Sequence, residues 1–168
     1  MTKRKTVARA IGATAAAAML TAGCGGGSDS NPTAPQPAAV LIMSANPSPV
    51  VGDLCGSHCG DLAGEREALT DLTLRETAGV GVNLTGGSQE LRNNATGAVI
   101  AMSTFAPSDF VRDTGTTRVA ASGQLVYHAA VHYPAAYAGV AATFTFVIQG
   151  TDDNGHAVSV TLMVPTTG

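Results

Sequence analysis

The sequence predicts an all-β domain, folded as an antiparallel β-sandwich. From about Val40 onward, short apolar stretches alternate with clusters of glycine, proline, asparagine and aspartate. No stretch in this region sustains the apolar stripe of a helix for three turns. Charged residues make up only 12% of the chain and hydrophobic residues 45%. This composition argues against a disordered chain and against a coiled coil.

Residues 1–23 are predicted to be a signal peptide that is not part of the fold. Four basic residues lie within the first nine positions, and no acidic residue precedes Asp29. The apolar run that follows, residues 10–20, is shorter than the roughly 20 apolar residues that span a bilayer. Small residues that suit peptidase access, Thr21, Ala22 and Gly23, follow this run.

Residues 20–24, with the sequence LTAGC, resemble the lipobox of bacterial lipoproteins. In that family, signal peptidase II cuts before a cysteine whose thiol carries a diacylglycerol. The resemblance implies cleavage between Gly23 and Cys24, acyl lipid on Cys24 and attachment to the bacterial cell envelope. Because Gly25 rather than aspartate follows the cysteine, it also implies the outer membrane in a Gram-negative host. The alternative is an ordinary secretory signal cut near Ala22.

Residues 24–38 are predicted to be a tether. They pass from a Gly/Ser-rich stretch into a Pro-rich one, and neither composition buries a core. The chain without its first 23 residues has five arginines, no lysine and twelve acidic residues, which gives a formal charge of −7. This balance disfavours binding to nucleic acid and to anionic lipid, so the expected membrane contact is the lipid anchor alone.

Residues 39–168 are predicted to form a single domain of about seven or eight strands, the size and spacing of an immunoglobulin-like sandwich. The phrases ANPSPV and FVIQGTDDNGHAVSVTLMV, within residues 45–165, resemble Ig-like modules of bacterial surface lipoproteins. The predicted strands are Ala39–Ser44, Pro49–Leu54, Ala68–Thr77, Val80–Leu84, Ala98–Phe105, Arg118–Tyr133 with an interruption near Gly123, Val140–Gln149 and Ala157–Val164.

The alternation of apolar and polar residues supports the predicted strands Ala68–Thr77 and Val80–Leu84. Leu72 and Leu74 fall on one face, and polar residues occupy the positions between them. Val82 and Leu84 repeat the pattern after the turn. Glu76 breaks the apolar series and is expected to mark a bend between the two strands.

The last two strands are predicted to form a hairpin whose register follows from parity. A two-residue Asn-Gly turn would place Ile148 opposite a polar residue. A three-residue loop ending at Gly155 instead pairs Ile148 with Val160 and Phe146 with Leu162. We therefore expect the longer loop, with Gly155 in the left-handed position.

The segment CGSHC, residues 55–59, is the most distinctive short motif. In an oxidising envelope compartment, Cys55 and Cys59 are expected to form a disulfide. An alternative is a copper or zinc site with Cys55, His58 and Cys59 as ligands. A third hypothesis is that Cys55 and Cys59 are free or redox-active thiols.

His128 and His132 would bind one metal only if they lay on a helix, because they are four residues apart. The unbroken alternation of apolar residues from Leu125 to Tyr133 predicts a strand instead. On a strand, their Cα atoms lie about 13 Å apart. We expect both histidines to occupy its polar face.

No motif for nucleophilic catalysis, phosphate binding or dinucleotide binding is present in the sequence. The sequence predicts a non-catalytic, lipid-anchored envelope protein that acts as a protein-interaction, adhesion or structural display module. It is expected to use no cofactor beyond the lipid on Cys24 and to have an envelope protein or a surface polymer as its partner. One alternative is an envelope protein that binds copper or zinc through the CGSHC segment. A polysaccharide-binding module is the other alternative, although the chain has no tryptophan. It would need Tyr127, Tyr133 and Tyr137 to share an exposed face.

Overall fold

The computed structural model describes residues 35–62 and 64–167 of the 168-residue chain. The predicted signal peptide and Cys24 lie outside these residues, as does most of the predicted tether. Within them are nine strands, one α-helix and two short 3₁₀ segments, Ser57–Leu62 and Ala135–Tyr137. The longer elements are β1 (Leu41–Asn46), β2 (Val50–Leu54), β3 (Arg66–Glu76), β4 (Val82–Asn93), β5 (Val99–Phe105), α1 (Pro107–Thr114), β6 (Arg118–Val119), β7 (Gln124–Tyr133), β8 (Ala142–Asp152) and β9 (Ala157–Thr167).

The strands form an immunoglobulin-like β-sandwich, as the sequence predicts. In the first sheet, β3 pairs with β7 on one side and with β1 and β2 in succession on the other. In the second sheet, β8 lies between β9 and β4, and β4 pairs with β5 and β6 along its other edge. This is the arrangement of the A-B-E and G-F-C sheets of an immunoglobulin-like domain.

Two details refine the prediction of about seven or eight antiparallel strands. The interruption predicted near Gly123 is a turn that divides Arg118–Tyr133 into β6 and β7, and Ser122 in this turn has a φ of 55°. In addition, β2 runs parallel to β9 over Val50 and Val51, which joins the two sheets. Only two residue pairs make this parallel contact, so it leaves no periodic signal in the sequence.

The core lies between the sheets and consists of the apolar residues that alternate along the strands. From the first sheet, Leu72 and Leu74 of β3 are fully buried. Phe144, Phe146 and Ile148 of β8 are fully buried from the second. The face predicted from alternation is therefore confirmed.

The β8–β9 hairpin has the predicted register. Ile148 lies opposite Val160, and Phe146 lies opposite Leu162. The amide of Gly155 donates to the carbonyl of Asp152, and Gly155 has a φ of 84°. The three-residue loop with a left-handed glycine is thus confirmed.

Strand β4 is longer than predicted because it continues through Gly86 and Gly87 as far as Asn93. The pairing with β8 shifts register between Leu84 and Gly86, and Gly86 has a φ of 149°, so this point is a β-bulge. Beyond the bulge, the buried amide of Gln89 donates to the carbonyl of Ala130 on β7. The glycines therefore bend the strand without ending it.

Helix α1 was not predicted, because its eight residues are too short to show a helical stripe. It begins at Pro107, and the Asp109 carboxylate accepts the amide of Ala106 at 2.7 Å. Phe110 is fully buried, and its ring lies 5.0 Å from that of Tyr127 on β7. One aromatic side chain thus packs the helix onto the first sheet.

Two buried carboxylates hold the chain where it enters the domain. Asp152 accepts the backbone amide of Ala39 at 3.0 Å, and Glu76 accepts that of Val40 at 3.2 Å. The carbonyl of Pro37 accepts the side-chain amide of Asn154 at 2.7 Å. The N-terminal end of the domain is therefore fixed at the pole of the sandwich that carries the β8–β9 turn.

Candidate functional site

The candidate site is a cluster of four side chains, Cys55, Cys59, Glu67 and His132, at the pole opposite that turn. Each offers one atom of a type that binds metals, and these atoms all lie within 4.8 Å of one another. The cluster combines two sulfurs, an imidazole and a carboxylate, and we refer to it below as the Cys–His–Glu cluster.

Cys55 and Cys59 form a disulfide, with Cα atoms 6.0 Å apart. The amide of Cys55 donates to the carbonyl of Glu65 at 2.8 Å, and the carbonyl of Cys55 accepts the amide of Gly64 at 3.0 Å. These two bonds extend the pairing of β2 with β3 beyond the end of β2. Cys59 lies in the 3₁₀ segment and is half-buried, whereas Cys55 is buried.

Glu67 and His132 reach the cluster because they lie directly opposite each other on β3 and β7. Side chains at opposite positions of paired strands project from the same face of a sheet. The Nε2 atom of His132 lies 3.5 Å from the Oε1 atom of Glu67, and its Nδ1 atom lies 3.9 Å from the Sγ atom of Cys55. His132 therefore lies between the carboxylate and the disulfide.

The predicted metal set of Cys55, His58 and Cys59 coincides with this cluster in its two cysteines only. The side chain of His58 lies outside the part of the chain that the structure describes. Glu67 and His132 were not among the predicted ligands, because their proximity depends on the register of three strands. Sequence spacing carries no signal for that register.

His128 and His132 lie on strand β7 and face outward, as predicted. His128 contacts a different partner, since its Nδ1 atom lies 2.6 Å from the Oδ1 atom of Asp71. A hydrogen bond to Asp71 raises the pKa of His128 above its usual value, and the charges of Asp113 and Asp71 raise it further. The two histidines thus serve separate local sites.

A cavity of about 340 Å³ adjoins the Cys–His–Glu cluster and shares Glu67 with it. Three apolar side chains in its lining are well exposed, with fractions of 65% for Leu54, 56% for Leu69 and 49% for Val51. Asp53 adds a second carboxylate. The cavity therefore combines apolar surface with negative charge.

The three tyrosines do not share an exposed face. Tyr127 and Tyr133 are buried in the core between the sheets, and only Tyr137 is exposed. An aromatic platform made from all three, which the polysaccharide alternative requires, is therefore not present.

Within residues 35–62 and 64–167, no helix has the length and apolar character needed to cross a membrane.

The fold and the site define an immunoglobulin-like sandwich domain with a Cys–His–Glu cluster at one pole. No known protein family matches the chain, and no curated protein matches it either. Among solved structures, it is similar to a Bordetella pertussis protein that carries the provisional name ApaA, with a TM-score of 0.51 and 10% identity. That match covers 77% of this chain and 96% of the other.

A second similar structure is the structural genomics target SoR45, with a TM-score of 0.50 and 8% identity. The match covers 77% of this chain and 87% of the other. At such low identity, both likenesses concern the fold alone.

Proposed function

We propose that this protein is a non-catalytic, lipid-anchored component of the bacterial cell envelope, and that its sandwich domain binds another envelope protein. The observation that carries the proposal is the N-terminal order of features. A basic segment, a short apolar run, the LTAGC sequence ending at Cys24 and a Gly/Ser/Pro-rich tether follow one another directly. Several acyl chains on one cysteine would anchor the domain stably, since each buried CH₂ contributes about 0.8 kcal/mol.

The point at which the tether enters the domain supports the proposal that the opposite pole is the surface available to a partner. The tether continues into Ala39, which is fixed beside the β8–β9 turn by the Asp152 carboxylate. Strand β3 has 11 residues and spans about 35 Å between the two poles, with Glu76 near the tether and Glu67 at the far end. The cavity beside Glu67 thus lies far from the anchored end of the domain.

The chemistry of this cavity supports a protein partner. Leu54, Leu69 and Val51 offer apolar contact area, and carboxylates lie beside them. The rest of the domain is also acidic and has no lysine. A partner surface complementary to this cavity has apolar side chains flanked by basic groups, because opposite charges favour the association of the two proteins.

The anchor is tested by changing Cys24 to alanine in the full chain. The wild-type protein should incorporate radiolabelled palmitate and enter the detergent phase, whereas Cys24→Ala should do neither. A double change of Cys55 and Cys59 to alanine is the matched control, and it should leave both properties intact. Labelled, membrane-bound Cys24→Ala protein would contradict the lipobox assignment.

Partner binding is tested by chemical crosslinking in whole cells. Leu69→Asp places a charge in the cavity, while Met163→Asp makes the same change on β9 at a side chain that is 67% exposed. We expect a crosslinked envelope protein that is lost in Leu69→Asp and retained in Met163→Asp. Equal crosslinking of the two variants would exclude the cavity as the binding surface.

A further inference from the structure

We propose that reduction of the Cys55–Cys59 disulfide turns the Cys–His–Glu cluster into a binding site for a zinc-like divalent cation. The four ligands would be the two cysteine thiolates, an imidazole nitrogen of His132 and a carboxylate oxygen of Glu67. This site shares Glu67 with the cavity proposed to bind a partner, but its test measures metal binding alone and so depends on neither the partner nor the lipid anchor.

The distances within the cluster suit such an ion after small shifts. Zinc binds sulfur at about 2.3 Å and nitrogen or oxygen at about 2.0–2.2 Å, so tetrahedral ligands lie about 3.3–3.8 Å from one another. In the structure, the Sγ atom of Cys55 and the Nδ1 atom of His132 are 3.9 Å apart. All the donor atoms of the cluster lie within 4.8 Å of one another, so no separation exceeds the ideal by more than about 1–1.5 Å.

Three of the four ligands are held by the sheet, and the fourth is in the short 3₁₀ segment that follows β2. Glu67 and His132 are on paired strands, and the backbone of Cys55 is hydrogen-bonded to Glu65 and Gly64. Cys59 is in the short 3₁₀ segment, so its sulfur can move away from that of Cys55 once the bond between them is broken. A largely preformed site lowers the cost of ordering the ligands around the ion.

The redox step requires a dithiol reductant. Its two thiols supply two electrons and two protons, the Cys55–Cys59 bond breaks, and the reductant becomes a disulfide. Cys55 and Cys59 then carry one proton each. Binding of the cation displaces these two protons, because thiolates rather than thiols are the ligands.

The ligand set favours zinc over hard cations. Two thiolates and an imidazole suit zinc or cobalt, whereas calcium and magnesium prefer an all-oxygen shell. Two thiolates and one carboxylate give the site a net negative charge around a divalent ion. The side chains of Glu67 and His132 are partly shielded from solvent, with exposures of 16% and 26%. An ion can therefore still reach the site from solvent.

The first experiment compares the reduced and oxidised protein. The mature domain is reduced with a phosphine that does not bind zinc, and Zn²⁺ is titrated by calorimetry. Co²⁺ serves as a second probe, because thiolate coordination produces a charge-transfer band in the near ultraviolet. We expect about one equivalent of either ion in the reduced protein and less than about a tenth of an equivalent in the oxidised protein. Failure of the reduced protein to bind would overturn the proposal.

Three histidine variants then identify the ligand. His132→Ala should weaken zinc binding by at least about 100-fold, since even residues that only support a ligand cost 10–100-fold. His128→Ala is the matched control, because His128 faces outward from the same strand but contacts Asp71. It and His58→Ala should bind zinc as the wild type does. Tight binding by His132→Ala, or its loss in His58→Ala, would refute the proposed ligands. Circular dichroism confirms that each variant is folded.

Discussion

The Nδ1 atom of His132 lies 3.9 Å from the Sγ atom of Cys55, although 77 residues separate the two in the chain. The contact exists because β2 and β7 flank β3 on opposite sides, and both end at the same pole of the sandwich. Glu67, on the strand between them, faces the same site. The cluster is thus formed by residues from three strand ends that are far apart in the sequence.

A carboxylate plays a comparable long-range role at the other pole. Glu76 is buried and accepts the backbone amides of Val40, Ala78, Gly79 and Ser122. Burial raises the pKa of Glu76, but the hydrogen bonds from Ser122, Ala78, Val40 and Gly79 outweigh it and lower the pKa to about 2. One side chain therefore joins three separate segments of the domain.

We predict that Glu76→Gln lowers the free energy of unfolding by about 2 kcal/mol or more. The new amide group keeps one acceptor oxygen but turns its NH₂ group toward backbone donors, and each buried donor left unpaired costs about 1–3 kcal/mol. Urea denaturation measures the effect. Glu90→Gln, a change on β4 beside exposed Arg92, is the control and should stay within about 0.5 kcal/mol of wild type. A loss no larger in Glu76→Gln than in this control would contradict the role assigned to Glu76.

Glu76 was predicted to mark a bend, but its hydrogen-bond partners could not be predicted from the sequence. Alternation predicted the core face of β3 and the register of the β8–β9 hairpin, because both depend on neighbouring positions in one or two strands. The partners of Glu76 lie 46 residues away at Ser122 and 36 residues away at Val40. The cysteine pair was likewise predicted from local spacing, whereas His132 required the register of two sheet pairings.

A second prediction concerns the stability of the domain at low pH. Burial raises the pKa of Asp152, but the amides of Ala39, His156 and Asn154 and the His156 side chain lower it to about 2. Because the pKa values of Asp152 and Glu76 are lower in the folded state than their usual values of 3.8 and 4.5, the stability they contribute is fully present above about pH 4.5. It is lost as the pH falls toward 2.

This loss can be followed as urea midpoints between pH 7 and pH 2.5. Wild-type midpoints should fall steeply below pH 4.5, and Glu76→Gln should show a shallower fall because one of the two carboxylates has been removed. Asp53→Asn, a change at an exposed position, should follow the wild-type curve. Parallel curves for wild type and Glu76→Gln would show that Glu76 does not titrate as described.

A third prediction concerns the close contact between β4 and β8. A Cβ atom on Gly150 would lie 2.7 Å from the Cγ1 atom of Val82 and 2.8 Å from the backbone oxygen of Asn83. Since a backbone oxygen in a paired strand cannot move alone, Gly150→Ala should destabilise the domain by about 1–3 kcal/mol. Thermal unfolding measures this. Gln149→Ala changes the exposed neighbouring position and should have little effect, and equal melting temperatures would contradict the prediction.

The last prediction is that the disulfide secures its own loop more than the whole domain. Cys55 and Cys59 close a loop of only five residues, for which chain entropy gives a contribution of about 2 kcal/mol. The core between the sheets does not depend on this loop, so the domain should remain folded when both cysteines are changed to alanine. Urea denaturation should show a loss of at most about 2 kcal/mol, and near-ultraviolet circular dichroism should be retained.

Reduced wild-type protein is the natural control for this double variant, because it lacks the same bond but keeps both sulfurs. In the absence of metal, the two should have similar urea midpoints. Adding Zn²⁺ should then raise the midpoint of the reduced wild type only, since binding to the folded state stabilises it by mass action. Unfolding of the domain on reduction would contradict this prediction and show that the disulfide is essential to the fold. We expect no such unfolding, because neither cysteine belongs to the apolar cluster between the sheets.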